Sequence, residues 1–495
     1  MILSRKVLLS FLAGAIASLS LPPFDIFPAI WCLAYPAMQF ARQEQRPQAL
    51  WIIAAMGMGW FTASTHWVAH SLLVGEAEFW YLLPLAALGL PALLTLFWVG
   101  AGAVAWRYQR SAAARLGWLL FGLAIAEFAR GHVATGFPWN SPGYSFSAHL
   151  WLLQSASWFG LYGLTFLALA FAFAPSLWWV GHKRLAMLFV AIPLALGLMG
   201  GLRLGGEPVN STALKQVRLV QPVIAQAEKW DRAKRGQHLS HIVRTASAKT
   251  PIPQLMIWPE TAFSAFASKD GSLLTAMAQQ ALPFDGHLIT GMPRLDGEER
   301  LFNSAALVDA EGQIKAVYDK KRLVPFGEFA PFRQFLPFVD VIAGPKDFSV
   351  GTGDRLFTVP GYGKIAVLIC YESIFPGDIG RDENRPEMIV NITNDAWFGR
   401  TLGPWQHLAQ SRMRAVEEGV PMMRVANNGI SAGFDAHGRI LGQIALDSVG
   451  TIDLIVPPAI SPTIFTRYGN VGFLGLLVLA GLLFLRLDQK LSIGQ

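Results

Sequence analysis

The chain has 495 residues, 53% of them apolar and 15% charged, with a mean hydropathy of +0.38. A soluble domain carries roughly 25% charged residues, and a disordered chain is poor in aromatics, whereas this one has 33 Phe and 17 Trp. Two Cys exclude a disulfide scaffold. A basic nucleic-acid domain is excluded by where the charge lies. Residues 203–467 hold 28 basic and 27 acidic residues, while the remainder holds 12 and 6. The excess sits among apolar runs, so a membrane protein with a polar domain is expected.

In chain order, apolar runs cover about 7–23, 26–41, 49–72, 79–106, 116–134, 148–180 and 185–201, and a last one about 469–485. Each approaches or exceeds the roughly 20 residues that cross a bilayer. The long sixth run is expected to include interfacial helix before its crossing. Eight crossings with a cytoplasmic N-terminus put Arg5, Lys6, Arg42, Arg46, Arg107, Arg110, Arg115, Lys183, Arg184, Arg486 and Lys490 inside. The short outer loops then carry Arg130 with Glu76 and Glu78. This asymmetry is a positive-inside signal, and it sends residues 203–467 to the outer face. Arg5-Lys6, the following apolar run and Ala15-Ile16-Ala17 also fit a cleavable signal peptide, whose loss would leave the other crossings oriented as before.

Polar groups inside the runs are few. His66 and His70 stand four apart on one helix face, a spacing that binds metal when a carboxylate is near; none is near in sequence, and interfacial histidines fit better. Glu127 reads as an interfacial carboxylate close to Arg130, or as a member of a transport relay. No inverted repeat supports transport.

The polar stretch reads as an α/β domain. Strands are expected at about 216–221, 255–259, 287–292, 303–309, 314–318, 364–370, 388–393, 422–427, 430–435 and 451–456, and helices at about 226–248, 269–281, 372–384 and 405–418. Three segments join a strand end to reactive residues. Trp258-Pro259-Glu260 puts a carboxylate after a buried strand. Tyr318-Asp319-Lys320-Lys321-Arg322 leads on to Phe326-Gly327-Glu328. Cys370-Tyr371-Glu372 ends another strand and opens a helix, where backbone N–H groups stabilise thiolate and oxyanion. Taken alone, Cys370 slightly favours an inert buried thiol, and Cys32 reads as packing.

These three segments together resemble the carbon–nitrogen hydrolase (nitrilase) superfamily over roughly 215–460. The resemblance implies an αββα sandwich with a Glu260, Lys320 and Cys370 triad and a supporting Glu328. Set between a seven-helix bundle (1–202) and a last helix with its tail (468–495), the domain (203–467) is similar to that of the apolipoprotein N-acyltransferase family. Glu228-Lys229-Trp230-Asp231 and the stretch from Asn391 to Gly399 fit that family as well, and Trp230 matches its functional Trp.

The resemblance implies transfer of an acyl chain from a phospholipid to the α-amino group of a diacylated apolipoprotein's N-terminal cysteine, at the periplasmic face of a bacterial inner membrane. Glu260 would be the general base, Cys370 the nucleophile, and Lys320 with the Tyr371 N–H the oxyanion site. Glu328 would orient Lys320 or the amine, and Glu372 would support the site or cap a helix. Trp397 and Phe398 read as a loop touching lipid, and Phe326 and Phe329 as further dry wall or core. No metal, cofactor or nucleic acid is implied, and a monomer is expected. The rivals are a membrane-anchored amidase that uses water, and a transporter with an inactive outer module.

Overall fold

The computed structural model describes residues 4–74, 80–107, 111–205, 215–331, 333–335, 346–377, 379–380 and 382–489. Among the loop charges read above, Glu76, Glu78, Arg110 and Lys490 lie outside the described residues. The chain divides into two compact units. One comprises Met1–Ala69, Tyr81–Glu207 and Pro462–Gln495, and the other His70–Trp80 and Pro208–Ser461.

The first unit is helical, and every apolar run carries a helix. These are α1 (Arg5–Ala17), α2 (Ala34–Arg42), α3 (Arg46–Thr65), α4 (Leu83–Ala105), α5 (Ala112–Arg130), α6 (Leu150–Leu153), α7 (Ala156–Trp179) and α8 (Lys183–Leu204), with Ile464–Tyr468 and Val471–Gln489 at the C-terminal end. Trp80–Ala105, α5, α7 and α8 are each long and apolar enough to cross a bilayer by length and composition. Helices α1 and α2 are shorter and are eked out by 3₁₀ turns at Ser18–Ser20 and Phe27–Leu33, around Pro22, Pro23 and Pro28. The sixth run is a short α6 followed by α7, which is interrupted at Gly160 (φ +62°). A Cβ there would stand 2.2 Å from the Phe465 ring, so only glycine gives both the turn and the space.

Glu127 is paired with Arg130, as read from the sequence, but the pair is buried in the helical unit. Arg130 donates to both Glu127 oxygens, and Trp98 Nε1 donates to Glu127 Oε1 at 2.8 Å. The guanidinium also donates to the carbonyls of Phe137 and Trp139 and to Ser141 Oγ. An ionised side chain in an apolar bundle is tolerable with this many partners; removing one partner of such a pair costs about 3–5 kcal/mol.

The second unit holds two six-stranded sheets. The first has the order β12-β1-β2-β3-β4-β5, formed by β1 (Lys215–Gln221), β2 (Leu255–Ile257), β3 (His287–Leu295), β4 (Leu301–Asp309), β5 (Ile314–Asp319) and β12 (Gly450–Val456). The second runs β11-β10-β9-β8-β7-β6, formed by β6 (Leu356–Val359), β7 (Gly363–Ile369), β8 (Met388–Thr393), β9 (Met422–Ala426), β10 (Ser431–Phe434) and β11 (Ile440–Ile444). Side-chain alternation builds four layers from these strands. Leu255 and Ile257 of β2, with Ile365, Val367 and Ile369 of β7, face the core between the sheets. Met256 and Trp258 face α9 (Arg235–Ala246) and α10 (Ala267–Ala281), while Ala366 and Leu368 pack with Ala415 of α11 (Gly403–Glu418).

Two predicted helices shrink. The segment 226–248 is a 3₁₀ turn at Gln226–Glu228 and then α9, because Lys229 is drawn inward and buried. Among its described residues, the segment 372–384 holds 3₁₀ turns, Cys370–Ile374 and Asp382–Asn384, since Pro376-Gly377 ends helical continuation.

Strands β1, β2 and β3 run parallel, as do β7, β8 and β9. Their C-terminal ends carry Glu260 and Cys370, the edge at which open α/β sheets place ligands. Gly291 of β3 lies under Glu260: a Cβ there would stand 2.6 Å from Glu260 Cα and 2.4 Å from Thr261 N. Neither backbone atom can yield. Gly291→Ala is expected to lower the melting temperature by about 2–10 °C and to displace Glu260, while Gly297→Ala, which meets nothing within 4 Å, should be neutral. Thermal unfolding of the two variants checks this, and equal melting temperatures would contradict it.

Candidate active site

Glu260 follows β2, Lys320 follows β5, and Cys370 follows β7. Lys320 Nζ donates to Glu328 Oε1 at 2.8 Å and stands 3.6 Å from Glu260 Oε1. All four side chains are more than nine-tenths buried. The neighbouring Lys321 is partly exposed, as alternation along an extended segment requires.

Sequence reasoning did not find Asn303 of β4. Its Nδ2 donates to Glu260 Oε1 and to Glu328 Oε1, each at 2.7 Å, so one amide spans both carboxylates. Its backbone carbonyl accepts from Lys320 N at 2.9 Å. The remaining Glu328 oxygen accepts from Val324 N at 2.8 Å. No local spacing announces an Asn within a strand. Lys229 was also missed, although its segment was singled out for Trp230. Its Nζ donates to the Glu260 carbonyl at 3.0 Å.

Glu372 serves both roles read for it. Oε2 accepts from Ile369 N at 2.8 Å, capping the turn, and Oε1 accepts from Tyr318 Oη at 2.6 Å and from Lys321 N at 2.9 Å. It therefore ties the lysine segment to the cysteine segment. Tyr371 is buried beside it, in the first turn of Cys370–Ile374. Trp230, Trp397 and Phe326 are exposed, and Phe329 and Phe398 half-buried. The ring of His70 packs on Gly399, and His66 is exposed with Nδ1 near the Ala63 carbonyl. Among the described residues no three His, Cys, Asp or Glu side chains gather as a metal site would require.

The charges explain the thiol. Burial, then the Glu260 carboxylate, push Cys370 up to about 12, with Lys320 opposing them. About one molecule in 10⁵ is then thiolate at pH 7. At neutral pH the Cys370 side chain therefore rests as a neutral thiol. Burial alone would lower Lys320, but the Glu328 and Glu260 carboxylates outweigh it and hold the ammonium charged. Burial lowers Lys229 to about 8, with Glu260 and Cys370 opposing. Cys370 itself has φ +49°, a left-handed conformation that costs a non-glycine residue about 1–2 kcal/mol.

Two family models match the chain. Residues 216–458 match one described as carbon-nitrogen hydrolase, and residues 13–174 one described as apolipoprotein N-acyltransferase N-terminal domain. An apolipoprotein N-acyltransferase of Brucella melitensis is 38% identical over 92% of this chain and 91% of its own length. The chain belongs to the apolipoprotein N-acyltransferase family. Another member, from Bradyrhizobium diazoefficiens, is 36% identical over 97% of this chain and 95% of its own. Among solved structures, an amidase from Nesterenkonia sp. is similar at 19% identity and a TM-score of 0.36, over 51% of this chain and 93% of that one.

The charge arrangement makes a signed prediction. Glu260 disfavours the neighbouring thiolate, so Glu260→Gln should lower the Cys370 pKa while removing the base. Alkylation of Cys370 by iodoacetamide should rise about tenfold per pH unit from pH 7 to 10 in the wild type, without a plateau. At pH 8 it should be faster in Glu260→Gln, even though turnover is lost. A wild-type plateau below pH 8, or slower alkylation in the variant, would contradict this placement of charge.

Proposed function

We propose that this membrane protein transfers an acyl chain from a phospholipid to the α-amino group of an apolipoprotein's N-terminal diacylglyceryl-cysteine, through a thioester on Cys370. The observation that carries this reading is the buried set of Glu260, Lys320, Glu328 and Cys370 in a chain that belongs to this family over nearly its whole length. Glu260 takes the Cys370 proton as sulfur attacks the ester carbonyl. Lys320 and the Tyr371 N–H hold the oxyanion. The carbon–oxygen bond breaks, and Glu260 returns its proton to the departing lysophospholipid. In the second half the amine attacks the thioester, Glu260 takes its proton, and the thiol reforms as the amide leaves. Glu328, through its bond to Lys320, fixes the ammonium in the oxyanion position. Trp230, Trp397 and Phe398 contact lipid or acceptor at the mouth of the site.

The water-using amidase shares this triad. Sequence favours the transferase, because an anchor needs one apolar helix and this chain has many. We assign residues 203–467 to the periplasm, 1–202 and 468–495 to the inner membrane, and a monomer to the working state.

Enzyme given phospholipid without acceptor should release lysophospholipid once per active site and then stall. Lys320→Ala should slow that burst about 100-fold, as expected for one oxyanion donor, while Lys321→Ala stays within a few-fold of the wild type. Continuous fatty-acid release would establish hydrolysis instead, and equal losses at the two lysines would refute the oxyanion assignment. For topology, a reporter active only in the cytoplasm should be silent when fused after Gly201 and active after Gln495. The reverse pair would overturn the orientation.

A further inference from the structure

Beneath Cys370 lies a second cluster of buried charge that the acyl-transfer steps do not use. Asp395 opens the turn after β8, His407 sits on α11, and Arg424 on β9. All three are fully buried. Arg424 Nη2 donates to Asp395 Oδ2 at 2.5 Å, and its Nη1 donates to Ser411 Oγ at 3.1 Å and to Asn391 Oδ1. His407 Nδ1 is 2.9 Å from Asp395 Oδ1 and 3.0 Å from Arg424 Nη2. On the other side of the ring, Nε2 is 3.2 Å from the Cys370 carbonyl and 3.0 Å from Ser373 Oγ.

Asn391 Nδ2 donates to the same Cys370 carbonyl at 3.3 Å, and the Thr393 hydroxyl, two residues further along β8, donates to Asp395 Oδ1 at 3.0 Å. Cys370 is therefore gripped at its carbonyl by His407 and Asn391. It is also the residue whose backbone is left-handed, at φ +49°. A strained residue keeps such a conformation only when its surroundings over-determine it. Three elements that are far apart in sequence supply that determination.

We propose that Asp395, His407 and Arg424, together with Thr393 and Asn391, form a positioning device that holds the strained Cys370 backbone and so aims its sulfur. Arg424 neutralises Asp395 and holds Asn391. Asp395, itself held by Thr393, orients the imidazole. The imidazole and Asn391 then fix the Cys370 carbonyl. The charged groups whose field reaches the sulfur are Glu260, Lys320 and Lys229 from the active site and Asp395 from this cluster, with His407 at the Cys370 carbonyl and Arg424 beside Asp395.

The test uses the full chain in detergent with phospholipid, reading single-turnover thioester formation, the KM for phospholipid, and the pH profile of Cys370 alkylation. Thr393→Val should slow thioester formation about tenfold at unchanged KM, because Asp395 loses a hydrogen bond that holds it in place. Thr393→Ser should restore the rate. Asp395→Asn should also slow thioester formation, yet move the profile to lower pH, because a negative charge near the sulfur is gone. His407→Ala should slow thioester formation without moving the lysophospholipid yield per folded site, and if it fails to fold the threonine pair decides. Wild-type thioester rates in Thr393→Val would overturn the proposal. So would a smaller burst at the wild-type rate with an unmoved profile, which is what a purely structural cluster would give.

Discussion

Lys320 stands between two carboxylates in a buried site, and the rest of the domain serves that placement. Two carboxylates so close would repel strongly without the ammonium, and the ammonium would lose its charge to desolvation without them. Asn303 bonds to one oxygen of each, and the second Glu328 oxygen accepts from Val324 N. Glu260, Lys320 and Cys370 follow three different strands and Asn303 lies within a fourth, so the sheets set most of the spacing, with Glu328 contributed by the turn after β5. Gly291 is required because the Glu260 backbone crosses directly over β3.

This balance explains how a neutral thiol can serve as nucleophile. A carboxylate next to a buried thiol raises the thiol's pKa, which suppresses adventitious reaction in the resting state. In the proposed mechanism the same carboxylate removes the proton once a carbonyl arrives, and the new negative charge passes to an oxygen facing Lys320, which would tie reactivity to the presence of an acyl donor. A dry site is needed for the second half as well, because a thioester that waits for an amine must be kept from water.

Much of this was legible along the chain. The strands before Glu260 and Cys370 are buried apolar runs, and Lys320 follows a partly exposed edge strand, β5, whose turn signal marks it. Strand β6 was not read because it has only four residues after a Gly-rich stretch, and β11 because it is a half-exposed edge strand with Gly442 at its centre. The helix expected from 226 failed where good local formers met a stronger demand: Lys229 turns inward to the Glu260 carbonyl. Asn303, His407 and Arg424 have no local signature, and Asp395 was read only as part of the Asn391–Gly399 stretch. These residues meet partners 12 to 43 positions away, which tertiary packing alone brings together.

The central claim is that Cys370 carries the acyl chain between donor and acceptor. Intact-protein mass spectrometry after incubation with phospholipid alone tests it most directly. The account predicts the added mass of one acyl chain, mapping to Cys370, and its disappearance when a diacylglyceryl-cysteine peptide is supplied, with the acylated peptide appearing in equal amount. An enzyme that turns over without ever acquiring that mass, or that carries it on another residue, would contradict the account.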